Sequence, residues 1–268
     1  GQAALDLVPS LPDIFDEPFA DSSQVPTALL CALTRKHVTV ALSGDGGDES
    51  FGGYRRYRLH LMEERMRSAL PAGIRQPLFG LLGRVYPKAD WAPRMFRAKT
   101  TFEGMARSSV EAYFHSVSIL RGPMRDQLYS AAFKRELAGY DAREVFDRHA
   151  AQAQTDYPPA LIQYLDLKTY LVGDINTQVD RASMATSLET RAPLLDYKVI
   201  EYAWKTPLSL KIDKDGGKFL LRALLEQYVP KPLFDRPKQG FGIPHGEWIK
   251  GPLKEWAAAL LDEKRIQE

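Results

Sequence analysis

Val38-Thr-Val-Ala-Leu-Ser-Gly-Asp-Gly-Gly-Asp-Glu-Ser-Phe-Gly-Gly-Tyr54 joins a short β-branched run to a glycine-rich, acidic loop and then to an amphipathic helix. The run reads as a buried strand ending at Leu42, and Gly44, Gly46 and Gly47 permit backbone angles and close approaches that a Cβ would forbid. In an open parallel sheet, ligands sit outside the carboxyl ends of the strands, where such a loop opens. The helix that follows offers unpaired N–H groups. Asp45, Asp48 and Glu49 alter what the loop can serve. Three carboxylates repel bare phosphate, so the loop needs a hard cation such as Mg²⁺ between protein and polyphosphate, or it meets ribose hydroxyls or an amine instead. Taken alone it could equally be a solvated Gly/Asp turn. It is neither an EF-hand loop nor a Walker A loop: Gly216-Gly217-Lys218 lacks the upstream glycine and the following hydroxyl.

The chain has 268 residues, 44% hydrophobic and 26% charged, which is ordinary globular composition and enough for one large domain or two small ones. A net charge of +2 gives no electrostatic commitment to nucleic acid. Arg55, Arg56 and Arg58 do form a local basic patch beside the acidic loop, an arrangement suited to a metal-bridged anion. Cys31, within Ala28-Leu-Leu-Cys-Ala-Leu33, reads as a small buried residue of a cytosolic protein, with no disulfide to form. No apolar window approaches the length of a membrane span, and no secretory signal opens the chain, so the expected compartment is the cytoplasm, with no membrane partner. Gly1 is not an initiator Met, and residues 4–15 read like the middle of a longer protein. A fragment is the expectation.

Pro26 suits the first turn of a helix running to about Lys36, and residues 37–42 supply the one clear strand. Beyond Phe51 the periodicity is helical: 54–67, 76–86, 102–118, 130–138 behind a Ser cap, 141–154 behind an Asp cap, 159–172, 180–189, 194–204, 217–228 and 252–264. Residues 70–101, rich in proline, are expected to be irregular. The chain is therefore read as mainly α. Residues 1–58 are a remnant of an α/β nucleotide fold, and 59–268 form an appended helical region.

Two further segments carry polar residues where packing alone would not put them. In Tyr170 to Asp196, Asp180 could cap a helix, and Arg181, Glu189, Arg191 and Asp196 could form an ion-pair network that fixes geometry. Asp180 and Arg181 suit either that structural role or a functional one. In Arg236-Pro-Lys-Gln-Gly-Phe-Gly242, Lys238 stands on a non-helical loop and could present one ammonium to a phosphoryl group, or be a plain surface lysine. The five histidines show no metal-ligand spacing. No Gly-x-Ser-x-Gly elbow supports a hydrolase triad.

With these segments in view, the chain resembles the synthetase half of the glutamine-hydrolysing asparagine synthetase family. The matching motifs are Ser43-Gly-Asp-Gly-Gly-Asp-Glu49 with Phe51-Gly-Gly-Tyr54, Val179-Asp-Arg-Ala-Ser-Met-Ala185 with Ser187-Leu-Glu189 and Arg191-Ala-Pro-Leu-Leu-Asp196, and Arg236-Pro-Lys-Gln-Gly-Phe-Gly242. Asp16-Glu-Pro-Phe-Ala-Asp-Ser-Ser23 is similar to the family's segment upstream of the strand.

The resemblance implies the C-terminal part of an adenine-nucleotide alpha-hydrolase-like (ATP-pyrophosphatase) domain. Its reaction adenylates the aspartate side chain, releases pyrophosphate and lets ammonia attack to give asparagine. Residue by residue, it implies that Ser43 and Gly44 line ATP and that Asp48 ligates Mg²⁺. Asp45 would face the reacting carboxylate or amine, and Lys238 would stabilise pyrophosphate. Asp21, Ser22, Ser23, Asp180 and Arg181 are the weaker candidates for the aspartate pocket.

Departures accompany the resemblance. The family's Ser-Gly-Gly-x-Asp-Ser pyrophosphate loop does not occur in this sequence, nor does a glutaminase half to deliver ammonia from glutamine, so the chain by itself is expected to be inactive. A homodimer is the assembly expected. Gln178 stands where the family often has a basic residue, which puts one anion contact in doubt, and Ser50 replaces an aliphatic one. Two other readings stay open: a relative that amidates another carboxylate or closes a β-lactam, and a degenerate homologue acting as a binding or assembly module.

Overall fold

A computed structural model of the chain describes residues 1–87, 98–213, 216–235, 240 and 242–267, and shows a mostly helical protein with one small parallel sheet. Two compact units emerge. The first comprises Gly1–Gly44, Asp174–Pro193 and Val229–Glu268, the second Asp45–Gly173 and Leu194–Tyr228.

The first unit holds α1 (Gln2–Leu7), α2 (Leu11–Ile14), α3 (Gln24–Arg35), β1 (Val40–Leu42), α13 (Thr177–Met184), β2 (Glu189–Arg191), α17 (His245–Lys250), α18 (Lys254–Leu260) and α19 (Glu263–Gln267). β1 and β2 pair in parallel, Val40 opposite Glu189, Ala41 opposite Thr190 and Leu42 opposite Arg191. The ladder continues at each end: the Glu189 N–H donates to the Thr39 carbonyl at 2.9 Å and the Ser43 N–H to the Arg191 carbonyl at 2.8 Å. Ala28 and Cys31 of α3, Ala182 of α13, and Leu188 form the core of this unit, with Leu7, Ile14 and Ala41 packed against it. Cys31 is thus a core thiol, and burial raises its pKa.

The sequence pattern predicts one helix over 180–189, yet α13 ends at Met184 and Glu189 opens β2. Nor is the first strand buried. Only its Ala41 side meets the core, while Val40 and Leu42 remain 40% and 75% exposed. A strand buried on both faces needs a second covering layer, and alternation sends every other side chain to the open face.

The second unit holds α4 (Gly47–Ser50), α5 (Arg55–Ala69), α6 (Ala72–Val85), α7 (Lys99–Met105), α8 (Ser109–Val117), α9 (Gly122–Leu128), α10 (Ala131–Glu136), α11 (Arg143–Gln152), α12 (Pro158–Lys168), α14 (Tyr197–Lys205), α15 (Leu208–Lys211) and α16 (Phe219–Leu225). Its centre is Tyr57, Tyr113, Ile162 and Leu165, brought together from α5, α8 and α12. The helix read over 102–118 is two helices, because Ser108 forms a capping box with Glu111 and starts α8 afresh. The helix expected over 76–86 is α6, which starts earlier, at Ala72, inside the stretch expected to be irregular, and runs on across Pro77; residues 88–97 of that stretch lie outside the described residues. Arg75 fastens this helix by donating to the carbonyls of Met105 and Arg107. The Ser130 cap is as expected, its hydroxyl accepting from the Phe133 N–H at 3.1 Å.

Candidate functional site

The glycine-rich loop leads from β1 into α4, and Gly46 shows why the turn is possible. Its φ is +83°, and a Cβ there would meet the Leu195 side chain at 2.2 Å. Gly44 differs, since a Cβ on it would meet nothing within 4 Å. Its small size therefore answers no packing demand in the fold. The Ser43 hydroxyl is buried with no hydrogen-bond partner. A buried orphan of that kind costs about 1–3 kcal/mol, so it is conspicuous beside a proposed ligand site.

The three loop carboxylates have separate fates. Asp45 is half-buried. Asp48, in the first turn of α4, receives the Lys218 ammonium at 2.9 Å. Glu49 is 2% exposed and faces the interior, where the Tyr54 hydroxyl donates to it at 2.5 Å and Gln163 Nε2 donates to its backbone carbonyl at 2.8 Å. Burial raises the Glu49 pKa above the usual carboxylate range, while the Tyr54 hydrogen bond works the other way. Mg²⁺ is commonly held by one or two carboxylates together with substrate phosphates. Asp48 suits that arrangement and Glu49 does not. Among the described residues no group of three His, Cys, Asp or Glu side chains is placed to hold a metal.

The basic patch is also redistributed. Arg56 turns inward and donates to Asp166 at 2.7 Å, with its guanidinium 3.8 Å from the Tyr54 ring centre and 4.5 Å from that of Tyr170. The Tyr57 and Tyr113 hydroxyls donate to the same buried carboxylate at 2.6 and 2.7 Å. Arg56 is therefore a structural partner of a buried anion rather than a surface contact for a ligand. Sequence patterning missed Asp166 because one acidic residue on the buried face of a helix leaves no periodic trace.

In the first unit, Asp21 accepts from the Ser23 N–H at 2.8 Å and from the Ser23 hydroxyl, ordering the turn into α3. Gln178 is buried, 3.3 Å from the Ser23 hydroxyl, and donates to Thr27 at 2.6 Å. The Gln178 amide thus ties α13 to α3. Ser22 stands half-buried beside them. Asp180 lies within α13 and caps nothing. Arg181 pairs with Asp16 at 2.6 Å, Glu189 with Arg191 at 2.7 Å, and Asp196 accepts from the Lys198 N–H at the start of α14. The expected four-residue network is thus replaced by two separate pairs and a cap. Lys238 lies outside the described residues.

The whole chain, residues 1–268, matches the family described as asparagine synthase. It is 32% identical over 251 residues to asparagine synthetase [glutamine-hydrolyzing] 1 of Bacillus subtilis, covering 94% of this chain and 38% of that protein. It is 35% identical over 263 residues to a putative asparagine synthetase [glutamine-hydrolyzing] of Mycobacterium bovis, covering 97% and 38%. A protein of Penicillium rubens named amidase chyE is 23% identical over 262 residues. The chain spans well under half the length of these relatives. No solved structure matches it.

Proposed function

Since the chain belongs to the asparagine synthase family, we propose that it supplies the acyl-activating part of an ATP-dependent amide-forming ligase with aspartate as acceptor. One observation carries the reading most: Asp48 stands at the start of a short helix directly after a strand and loop, with Lys218 as its counterion. A carboxylate resists attack by ammonia until one oxygen leaves as part of a good leaving group. Transfer of AMP onto the aspartate side chain makes that group and expels pyrophosphate; attack by ammonia then forms the amide and releases AMP. Mg²⁺, when bound, neutralises charge on the polyphosphate as it departs.

Within that scheme Ser43 and Gly44 line the nucleotide, with the buried orphan hydroxyl and the open space at Gly44 in support. Asp48 holds the metal, and Asp45, half-buried, faces the acyl group or the incoming amine. Lys238 is assigned to pyrophosphate from the family motif alone. Asp21, Ser22, Ser23, Asp180 and Arg181 keep a lesser claim on the aspartate pocket, because Asp21 and Arg181 are already engaged by Ser23 and Asp16. The fold assigned with this reading is an ATP-pyrophosphatase domain, residues 1–58 contributing its α/β part and 59–268 its helical part, the latter also lending β2 to the sheet. In the full-length protein, glutamine would supply ammonia through a separate glutaminase domain, in a cytoplasmic homodimer.

The test is product analysis with full-length natural protein across a panel of carboxylic acids. Aspartate-dependent formation of AMP and pyrophosphate is expected; ADP and phosphate would overturn the reading. The likeness to a protein named as an amidase favours keeping a second outcome in view, pyrophosphate release with another carboxylate and none with aspartate.

A further inference from the structure

We propose that Lys218 is a nucleotide-binding residue that exchanges partners, neutralising Asp48 when the site is empty and taking a phosphate oxygen of the nucleotide when a divalent cation takes Asp48. The proposal rests on the adenylation reading above. The fold fits one lysine closely to one carboxylate. Lys218 adopts φ +59°, a left-handed conformation that a residue with a long side chain seldom takes. Its N–H donates to the Phe51 carbonyl at 3.0 Å, tying the start of α16 to the end of the glycine-rich loop. A Cβ on the preceding Gly217 would lie 2.1 Å from the Gly52 carbonyl oxygen, so the two backbones touch.

The side chain then runs through a slot kept clear by glycines. A Cβ on Gly53 would lie 2.4 Å from Lys218 Cε and 2.0 Å from Asp48 Oδ1, and one on Gly47 would lie 3.6 Å from Lys218 Nζ. Stability does not account for this construction. The Lys218 and Asp48 side chains are 30% and 21% exposed, and ion pairs that share solvent contribute little to stability. A left-handed non-glycine residue is strained, and such strain clusters at functional sites.

Exchange of partners supplies a role. Lys218 opposes a divalent cation at Asp48 while nucleotide is absent, and a polyphosphate reverses that opposition by giving the ammonium a new anion. Asp48 and Lys218 each keep a counterion in both states, so neither charge is left alone in a partly desolvated place. A flexible four-carbon stem with a compact charge suits a residue that must change partner without moving its backbone.

The signature is a pair of effects with opposite sign. In the full-length protein, Lys218→Met should tighten binding of Mn²⁺ alone by ~10-fold, read from the spin-resonance signal of free Mn²⁺. The same variant should raise the KM for Mg·ATP in pyrophosphate release by ~10-fold or more, and Lys218→Arg should recover most of that loss. Adding Asp48→Asn to Lys218→Met should abolish the gain in Mn²⁺ binding. Unchanged Mn²⁺ affinity in Lys218→Met, or metal and nucleotide affinities falling together, would overturn the exchange. If the wild-type protein releases no pyrophosphate with any carboxylate, the adenylation reading fails, while the Mn²⁺ measurement still judges Lys218.

Discussion

Ser50 and Lys211 show how much of this protein is decided side chain by side chain. The Ser50 hydroxyl is buried with no hydrogen-bond partner, in a helix that otherwise packs tightly. Removing such a group without leaving a large hole recovers its desolvation cost, so Ser50→Ala should raise stability by about 1 kcal/mol in denaturant unfolding. Lys211 is 4% exposed beside Trp204, and burial lowers its pKa to about 8. Below that pH the lysine is charged in the folded and unfolded chains alike, and the cost of burying the charge is paid in full. Between about pH 8 and the unfolded value near 10.4 the unfolded chain binds more protons, so stability rises with pH. Lys211→Met should therefore stabilise the protein by about 1–2 kcal/mol at pH 7, with the gain fading by about pH 10.5, as thermal melts across that range would register. Sequence reading found the acidic loop and the departure at Ser50, because residue identity is what a sequence states. It could not find the Lys218 to Asp48 pair, whose members are distant in the chain and meet only through the fold.

At the level of elements, capping chemistry was more legible than strand length. Ser130 marks the start of α10 as expected, and the Ser108 to Glu111 box was present in the sequence but hidden inside a longer helical period. β2 was missed for a different reason. Three residues, Glu189-Thr-Arg191, are too few to show alternation, and their strand character comes from pairing with β1. The glycines separate fold from function in the same way. Gly217→Ala would drive a methyl group into the Gly52 carbonyl, backbone against backbone with no flexible side chain to yield, and should cost about 1–3 kcal/mol. Gly44→Ala meets open space and should change stability by less than about 0.5 kcal/mol. Melting temperatures compare the two substitutions directly. If Gly44 lines the nucleotide, its variant should instead show a raised KM for ATP with an unchanged melting temperature.

Across the whole molecule, helix content and the family motifs were legible, while the division into two units was not. The first unit draws on three separated stretches, and its sheet pairs residues on either side of Asp45–Gly173. No local pattern encodes that pairing. The resulting sheet has one covered face and one open face, with Val38, Val40 and Leu42 at alternate positions and 45%, 40% and 75% exposed. Parallel strands ordinarily have both faces covered, and an apolar strand face left to water is a site for association. The 268-residue chain by itself should therefore associate with its own kind as concentration rises, seen as an increase in weight-average mass by sedimentation. Leu42→Lys places a charge on the open face without touching the Ala41 side that meets the core. It should shift the population toward monomer and leave the melting temperature nearly unchanged. A variant that associates as strongly as the parent would show that this face is not the contact, because a charge set among apolar side chains loses its hydration whenever the face is covered.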